Sequence, residues 1–284
     1  MPFSLSLSGG GCRAAAHIGV LKALEEHSLS PIAVSGTSAG AIVAALWALG
    51  YSAEELLYIS HNIAKSGGSL LDIDTFKIIY TALSLPARQR SSLSGILRGK
   101  KLYALLKKLC KGADISEVTL PLFIAATDLI SGKTVCYSNS PQKRRLPNTI
   151  WKAKIPLCDA VYSSCCLPAV FSPLKTPNQT LVDGGVTDNL PVDLLFAADM
   201  PNIIAIDVSN FQSDDSIEGL FETAYRSISV MSKKLNDCYV RGERLNIKPN
   251  LPKNAGVFSF DMMDSCYTAG YNAANELIPL IKEF

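Results

Sequence analysis

Gly36-Thr37-Ser38-Ala39-Gly40 sets a serine midway between two glycines, after an apolar run at 31–35 and before another at 41–49. This is the spacing of a nucleophile elbow, a sharp strand-to-helix turn that lifts a hydroxyl clear of the backbone. Gly36 and Gly40 are needed because side chains there would clash in the tight turn. The same residues also read as a glycine turn in which Ser38 is an ordinary helix N-cap. A second run, Gly9-Gly10-Gly11, stops a β-prone stretch at 3–8, and from Arg13 onward Ala16, Val20, Leu21 and Leu24 recur at helical spacing. With Ala14 it fits a dinucleotide fingerprint, but the second strand ends in Val34-Ser35-Gly36 without the carboxylate that would hold a ribose. Gly-Lys-Ser/Thr is absent too. What remains for such a loop is to aim bare backbone N–H groups at an anion. If Ser38 is a nucleophile, that anion is the oxyanion of a tetrahedral intermediate.

The base for the serine is constrained by a scarcity. The chain has three histidines, His17, His27 and His61, and no aspartate before Asp72. Each of the three known chain orders of a Ser-His-Asp triad therefore fails. A carboxylate or a lysine acting alone is left. Asp207, at the end of the apolar run 203–208, stands where α/β enzymes carry catalytic groups, and Asp183, followed by Gly184-Gly185, is its rival. Asp183 also reads as an ordinary Asp-Gly turn. Arg13 lies in the first turn of a helix, where a cation opposes the macrodipole, so either an anionic group near the loop offsets it or it is a solvated surface arginine. His17 is expected to pack or cap near the glycine loop. Eight scattered cysteines make no Cys-x-x-Cys pair, so neither a metal site nor a disulfide framework is expected, and no cofactor.

The elements that must position these groups follow from periodicity. Strand, glycine turn and helix occur twice in the first 50 residues, the pattern of a mostly parallel α/β sheet flanked by helices. Ser52-x-x-Glu55 is a capping box opening another helix. Further strands are expected at 122–127, 134–137, 180–182 and 203–208, and helices at 192–198, around 217–239 and at 265–281. One α/β domain is expected over 1–284, with an irregular, partly helical insertion at 66–112. With 284 residues, 48% apolar and a formal net charge of +2, the chain has neither the low hydrophobicity nor the high charge of disorder. No apolar run approaches a membrane span and the start has no basic leader, so a cytoplasmic chain is expected, peripheral where it meets membranes.

Four motifs in order closely resemble the patatin-like phospholipase family: Ser8-Gly9-Gly10-Gly11-Cys12-Arg13, His17-Ile18-Gly19-Val20-Leu21, the Ser38 elbow, and Asp183-Gly184-Gly185 with Asn189-Leu190-Pro191-Val192. Ala126-Thr127-Asp128-Leu129, Ser163-Ser164 with Leu167-Pro168-Ala169-Val170-Phe171, and Gly270-Tyr271 are similar too, so the resemblance runs from about residue 4 to 281. It departs at Ala14, where many members carry glycine, and over 66–112, which match no motif. The resemblance implies a patatin-like fold and a Ser–Asp dyad, with Ser38 as nucleophile, Asp183 as base and the N–H groups of Gly9, Gly10 and Gly11 as oxyanion hole. It implies cleavage of fatty-acyl esters in phospholipids or lysophospholipids without a metal. A non-catalytic lipid-binding module and an acyltransferase using the same acyl-enzyme are the alternatives.

Two blocks of positive charge point to an anionic partner surface. Residues 75–113 hold nine basic residues and 129–158 hold six, with no acid in either. Between Arg98 and Lys111, Leu102, Leu105, Leu106 and Leu109 share one helical arc opposite Lys100, Lys101, Lys107 and Lys108. Such a helix either lies on an anionic bilayer or packs its leucines into the core with its lysines solvated. No nucleic-acid motif accompanies the charge, and nucleic acid is not an expected partner.

Overall fold

The computed structural model describes residues 2–70, 72, 95–209, 220–238 and 242–284. Its strands are β1 (Ser4–Leu7), β2 (Ala33–Thr37), β3 (Gly95–Leu97), β4 (Leu122–Asp128), β5 (Lys133–Ser138), β6 (Thr149–Lys152), β7 (Ala169–Phe171), β8 (Leu174–Thr176), β9 (Gln179–Asp183), β10 (Ile203–Ile206) and β11 (Leu245–Ile247). The helices are α1 (Ala15–Glu26), α2 (Ala39–Ala48), α3 (Ala53–Leu70), α4 (Lys100–Leu109), α5 (Leu157–Ser164), α6 (Val192–Ala197), α7 (Leu220–Cys238) and α8 (Met263–Lys282).

The central sheet runs β11-β10-β1-β2-β4-β5-β6, parallel from β11 to β4, antiparallel between β4 and β5, and parallel again at β6. Because helices cover both faces, β1, β2, β4 and β10 are buried at every position. Leu5, Leu7, Val34, Leu122 and Ile124 pack into the larger core with α1, α2 and α8, while Phe123, Ala125, Ala33 and Ala205 meet α6 on the other face. The alternation in Ser-Leu-Ser-Leu turns Ser4 and Ser6 away from Leu5 and Leu7. Tight helix contact explains two glycines: a Cβ at Gly19 or Gly270 would strike the backbone of the partner helix across the α1–α8 seam.

The mostly parallel sheet and its flanking helices match the expected class, and the predicted elements fall within a few residues of those observed. Ser52 and Glu55 close the capping box, with the Ser52 N–H donating to Glu55 at 2.8 Å and the Glu55 N–H to Ser52 Oγ at 3.2 Å. The predicted helix around 217–239 is α7; 217–219 and 239 lie outside the described residues, as does 73–94 of the expected insertion. Of that insertion the structure describes the end of α3, β3 and α4. The short β6, β7, β8 and β11 and the helix α5 were not predicted.

Candidate active site

Ser38 is the single residue between β2 and α2, at φ 55 and ψ −127. A non-glycine residue held there stores on the order of 1–3 kcal/mol of strain, so its surroundings must enforce it. Added Cβ atoms show how tightly the turn is wound: one at Gly36 would sit 2.5 Å from the Gly40 carbonyl, and one at Gly40 2.5 Å from that of Ser8. The Ser38 N–H donates to Ser164 Oγ at 2.8 Å, and Thr37 Oγ1 donates to the Asp188 carbonyl at 2.8 Å. Ser38 makes no capping bond to α2, which removes the plain N-cap reading. Ser38 instead lines one small cavity together with Asp183, whose pKa the Ser38 side chain lowers.

Asp183 reaches Ser38 through the register of one strand. On the edge of β4 that faces away from β5, β2 pairs with the first half and β9, running the other way, with the second. Thr37 lies opposite Ala125 and Asp183 opposite Ala126, so the C-terminal ends of β2 and β9 meet head to head. Gly184 makes the junction possible, because a Cβ there would collide with the Ala125 carbonyl. The carboxylate is 4% exposed and accepts the Gly185 N–H at 2.8 Å. Burial raises its pKa from 3.8 to about 6, and the nearby Ser38 side chain and the Gly185 N–H restrain that rise. The Gly185 carbonyl is in turn bonded by Ser232 Oγ of α7. Asp207, the other carboxylate the sequence offered, accepts from the N–H and hydroxyl of Ser209 at its own strand end. It does not line the cavity that holds Ser38.

The glycine loop supplies fewer free donors than its sequence suggests. The Gly9 N–H is spent on the Asn189 carbonyl at 3.0 Å, which corrects the expectation that Gly9 belongs to an oxyanion hole. Cys12 N–H donates to the Val257 carbonyl at 2.9 Å. Among the described residues no acceptor engages the N–H groups of Gly10 and Gly11. Gly11 holds φ +58, a conformation that glycine adopts without cost. Arg13 is no solvated surface residue: it is 9% exposed and its Nε donates to the Gly10 carbonyl at 3.2 Å, fastening the loop. His17 lies beneath, fully buried, with Nε2 donating to the Ser8 carbonyl at 2.9 Å. Burial lowers its pKa to about 4, so it is neutral at physiological pH.

Two cavities meet at Ser38. One, of about 50 Å³, is bounded by Gly9 to Gly11, Arg13, Asp183, Asn189, Ser209, Ser229 and Ser232. The other, of about 190 Å³, is almost wholly apolar and runs between α2, α3, α4 and the segment from Val257 to Met263. Leu102, Leu105, Leu106 and Leu109 all line it, while Lys100, Lys101, Lys107 and Lys108 are exposed. The leucine arc of α4 therefore faces the cleft and its lysine arc faces solvent. Among the described residues no cluster could hold a metal ion, and no helix is long and apolar enough to cross a membrane.

The family model described as patatin-like phospholipase matches residues 5–196, which contain the glycine loop, the elbow and Asp183. The chain belongs to the patatin-like phospholipase family. An uncharacterized NTE family protein of Mycobacterium bovis is 27% identical over 210 residues, covering 74% of this chain and 50% of the relative. Human patatin-like phospholipase domain-containing protein 6 is 29% identical over 214 residues, 75% of this chain but 14% of the relative. The chain thus spans at most about half the length of these relatives. Among solved structures, human GIVD cytosolic phospholipase A2 in complex with methyl gamma-linolenyl fluorophosphonate shares the fold at TM-score 0.52 and 14% identity, over 99% of this chain and 58% of that one. VipD from Legionella pneumophila does so at TM-score 0.51 and 15% identity, over 98% and 66%.

Four contributors escaped the reasoning from residue chemistry. Ser164 and Asn189 lie in stretches that carry the family resemblance, though nothing in their own sequence context gives them a role. Ser232 and the cleft wall at Val257 to Phe260 carry no local signal at all, because their positions come from how α7 and the approach to α8 fold back over the sheet.

Proposed function

We propose that this chain is a lipid acyl hydrolase of phospholipase A or lysophospholipase type, a single patatin-like α/β unit with its insertion at 66–112. The observation that carries the proposal is the strained Ser38, sharing a small cavity with a buried Asp183 and standing at the mouth of an apolar cleft. The acyl chain lies in the cleft, and the ester carbonyl rests beside Ser38. Ser38 Oγ attacks the carbonyl carbon while its proton passes to Asp183. The oxyanion is met by the N–H groups of Gly10 and Gly11, which line the cavity with Ser38 and which no acceptor among the described residues engages. On collapse the C–O bond to the leaving alcohol breaks and Asp183 returns the proton to that oxygen. Water, losing its proton to Asp183, then attacks the acyl-Ser38 ester, and the fatty acid leaves as Ser38 recovers its proton.

Burial supports the choice of base. A carboxylate with pKa near 6 is a better proton acceptor than one near 4, yet remains largely ionised at pH 7. No cofactor or metal enters these steps. The exposed lysines of α4 add positive charge that draws the protein to anionic lipid, consistent with a cytoplasmic chain that is peripheral on membranes. The test is product analysis by mass spectrometry on a mixed phospholipid extract, with a fluorophosphonate probe to report the nucleophile. Free fatty acid released by the wild type and not by Ser38→Ala, with labelling on Ser38 alone, is the expected result. Acyl groups appearing on an added alcohol or thiol instead of water would make it a transferase. Lipid binding without any acyl product would reduce it to a binding module.

A further inference from the structure

Two oxygens that can only accept hydrogen bonds look onto the same face of Gly185. A Cβ built there would lie 3.0 Å from Asn189 Oδ1 and 3.1 Å from Asp183 Oδ1. The amide oxygen also reaches over the glycine loop, since a Cβ at Gly9 would lie 2.5 Å from Asn189 Oδ1 and 3.2 Å from the Ser38 Cβ. Asn189 thus presents its side chain to both Ser38 and Asp183, with room for one small molecule between. The main chain enforces this placement. The Asn189 carbonyl accepts the Gly9 N–H at 3.0 Å and the Asp188 carbonyl accepts Thr37 Oγ1 at 2.8 Å, tying the segment to the loop and to the elbow. Asn189 lines the polar cavity of about 50 Å³ with Ser38 and Asp183, and among the described residues no donor bonds its side chain. A water molecule needs only ~10–15 Å³ of such space.

From this arrangement we infer that Asn189 is a catalytic residue of the deacylation step: its Oδ1 and the Asp183 carboxylate together hold the water that cleaves the acyl-Ser38 ester. The inference rests on the proposed ester hydrolysis. Two acceptors facing one space need a donor with two hydrogens between them, and water has two where the Ser38 hydroxyl has one. One hydrogen of the water points to Asp183 and the other to Asn189, which turns an oxygen lone pair toward the acyl carbonyl carbon. As that oxygen attacks, its proton passes to Asp183, while the second hydrogen stays on the oxygen, held by Asn189. The C–O bond to Ser38 then breaks, Asp183 returns its proton to Ser38 Oγ, and the fatty acid leaves with the second hydrogen on its new carboxyl. Acylation needs only Asp183 as acceptor, because the Ser38 hydroxyl has a single proton to lose. Asn189 therefore acts on one half of the cycle and not on the other.

The test is the kinetics of the full chain on a short p-nitrophenyl ester, where the first release of p-nitrophenol reports acylation and the steady state reports deacylation. Asn189→Leu removes the amide oxygen and keeps the main-chain bond to Gly9. Gly185→Ala, a second variant in case the first does not fold, sets a Cβ between the two oxygens and keeps the N–H that bonds Asp183. In each, kcat should fall at least about tenfold while kcat/KM, which contains only the steps through acylation, stays within about threefold of wild type. A burst of p-nitrophenol should appear, and intact mass should show the acyl group held on Ser38. Methanol has one hydroxyl hydrogen and no use for Asn189, so the ratio of methyl ester to fatty acid formed in added methanol should rise at least about fivefold in the variants. An unchanged kcat, equal losses in kcat and kcat/KM in the folded variants, or an unchanged product ratio overturns the inference. A wild type that releases no p-nitrophenol and takes no fluorophosphonate label on Ser38 would instead refute the hydrolase, and this inference with it.

Discussion

Replacing Asp183 by asparagine should produce a protein that is inactive and more stable. A carboxyl whose pKa is 3.8 in water and about 6 when folded costs the folded chain ~3 kcal/mol at neutral pH. Because the folded value is the higher one, the stabilising contribution of Asp183 is fully present below pH 3.8. It is lost as pH rises through about 6. Asparagine carries no charge to desolvate and should recover part of the ~3 kcal/mol at pH 7, offset by whatever the bond from the Gly185 N–H loses. At roughly 2–4 °C per kcal/mol for a chain somewhat smaller than this, melting should rise by a few degrees at pH 7, and the advantage should vanish near pH 4. Activity should fall by at least ~10³-fold, because the proton of Ser38 has no acceptor. The companion measurement is kcat/KM of the wild type on a short monomeric ester between pH 4.5 and 8. The rate should fall with unit slope below an inflection near pH 6. His17, lowered to about 4, cannot give that inflection. A pH-independent rate, an active Asp183→Asn, or a melting difference between variant and wild type that does not move in the variant's favour from pH 4 to pH 7 would refute the reasoning.

Ser38→Ala should abolish ester hydrolysis and fluorophosphonate labelling while melting stays within a few degrees of wild type. Gly10→Val would bring a side chain against Val208, where a bare Cβ already lies 2.7 Å from Cγ2. The loop must shift, and kcat should drop by about 10² or more with a smaller change in KM. Leu105→Trp, which fills the acyl cleft, should slow long-chain esters at least about tenfold relative to short ones, read from kcat/KM across a chain-length series. Replacing Lys100, Lys101, Lys107 and Lys108 by glutamine should weaken the salt-sensitive part of vesicle binding and spare the short ester, since exposed charges are screened beyond about 8 Å at physiological ionic strength.

The two glycine turns were legible in the sequence because everything that defines them is local: five residues around Ser38, and three at Gly9 to Gly11 between strand and helix periodicity. The choice between Asp183 and Asp207 was not local, and without the family resemblance the sequence left it open. What brings Asp183 beside the β2 turn is β9 joining β4 across some 55 residues, a pairing that no pattern within either segment encodes. The spending of the Gly9 N–H on Asn189 is hidden for the same reason, since donor and acceptor lie 180 residues apart. The leucine arc of α4 was visible as an arc. Whether it faced lipid or protein depended on α2 and α3 arriving opposite it, which periodicity does not record. The short strands β3, β7, β8 and β11 each span three residues, too few for alternation to declare itself.

If Ser38 and Asp183 act as proposed, the head-to-head meeting of β2 and β9 on β4 makes catalysis a gauge of strand alignment. Side chains alternate across a strand, so a slip of β9 by one residue would turn Asp183 to the opposite face and bring Val182 or Gly184 to the seam. Such a slip could leave the hydrogen-bond ladder nearly complete and the circular dichroism nearly unchanged, while Ser38 would be stranded without a proton acceptor. Turnover in this protein would then report an error of a few ångströms in sheet assembly that bulk measures of folding pass over, and refolding yield is better scored by ester hydrolysis than by spectra.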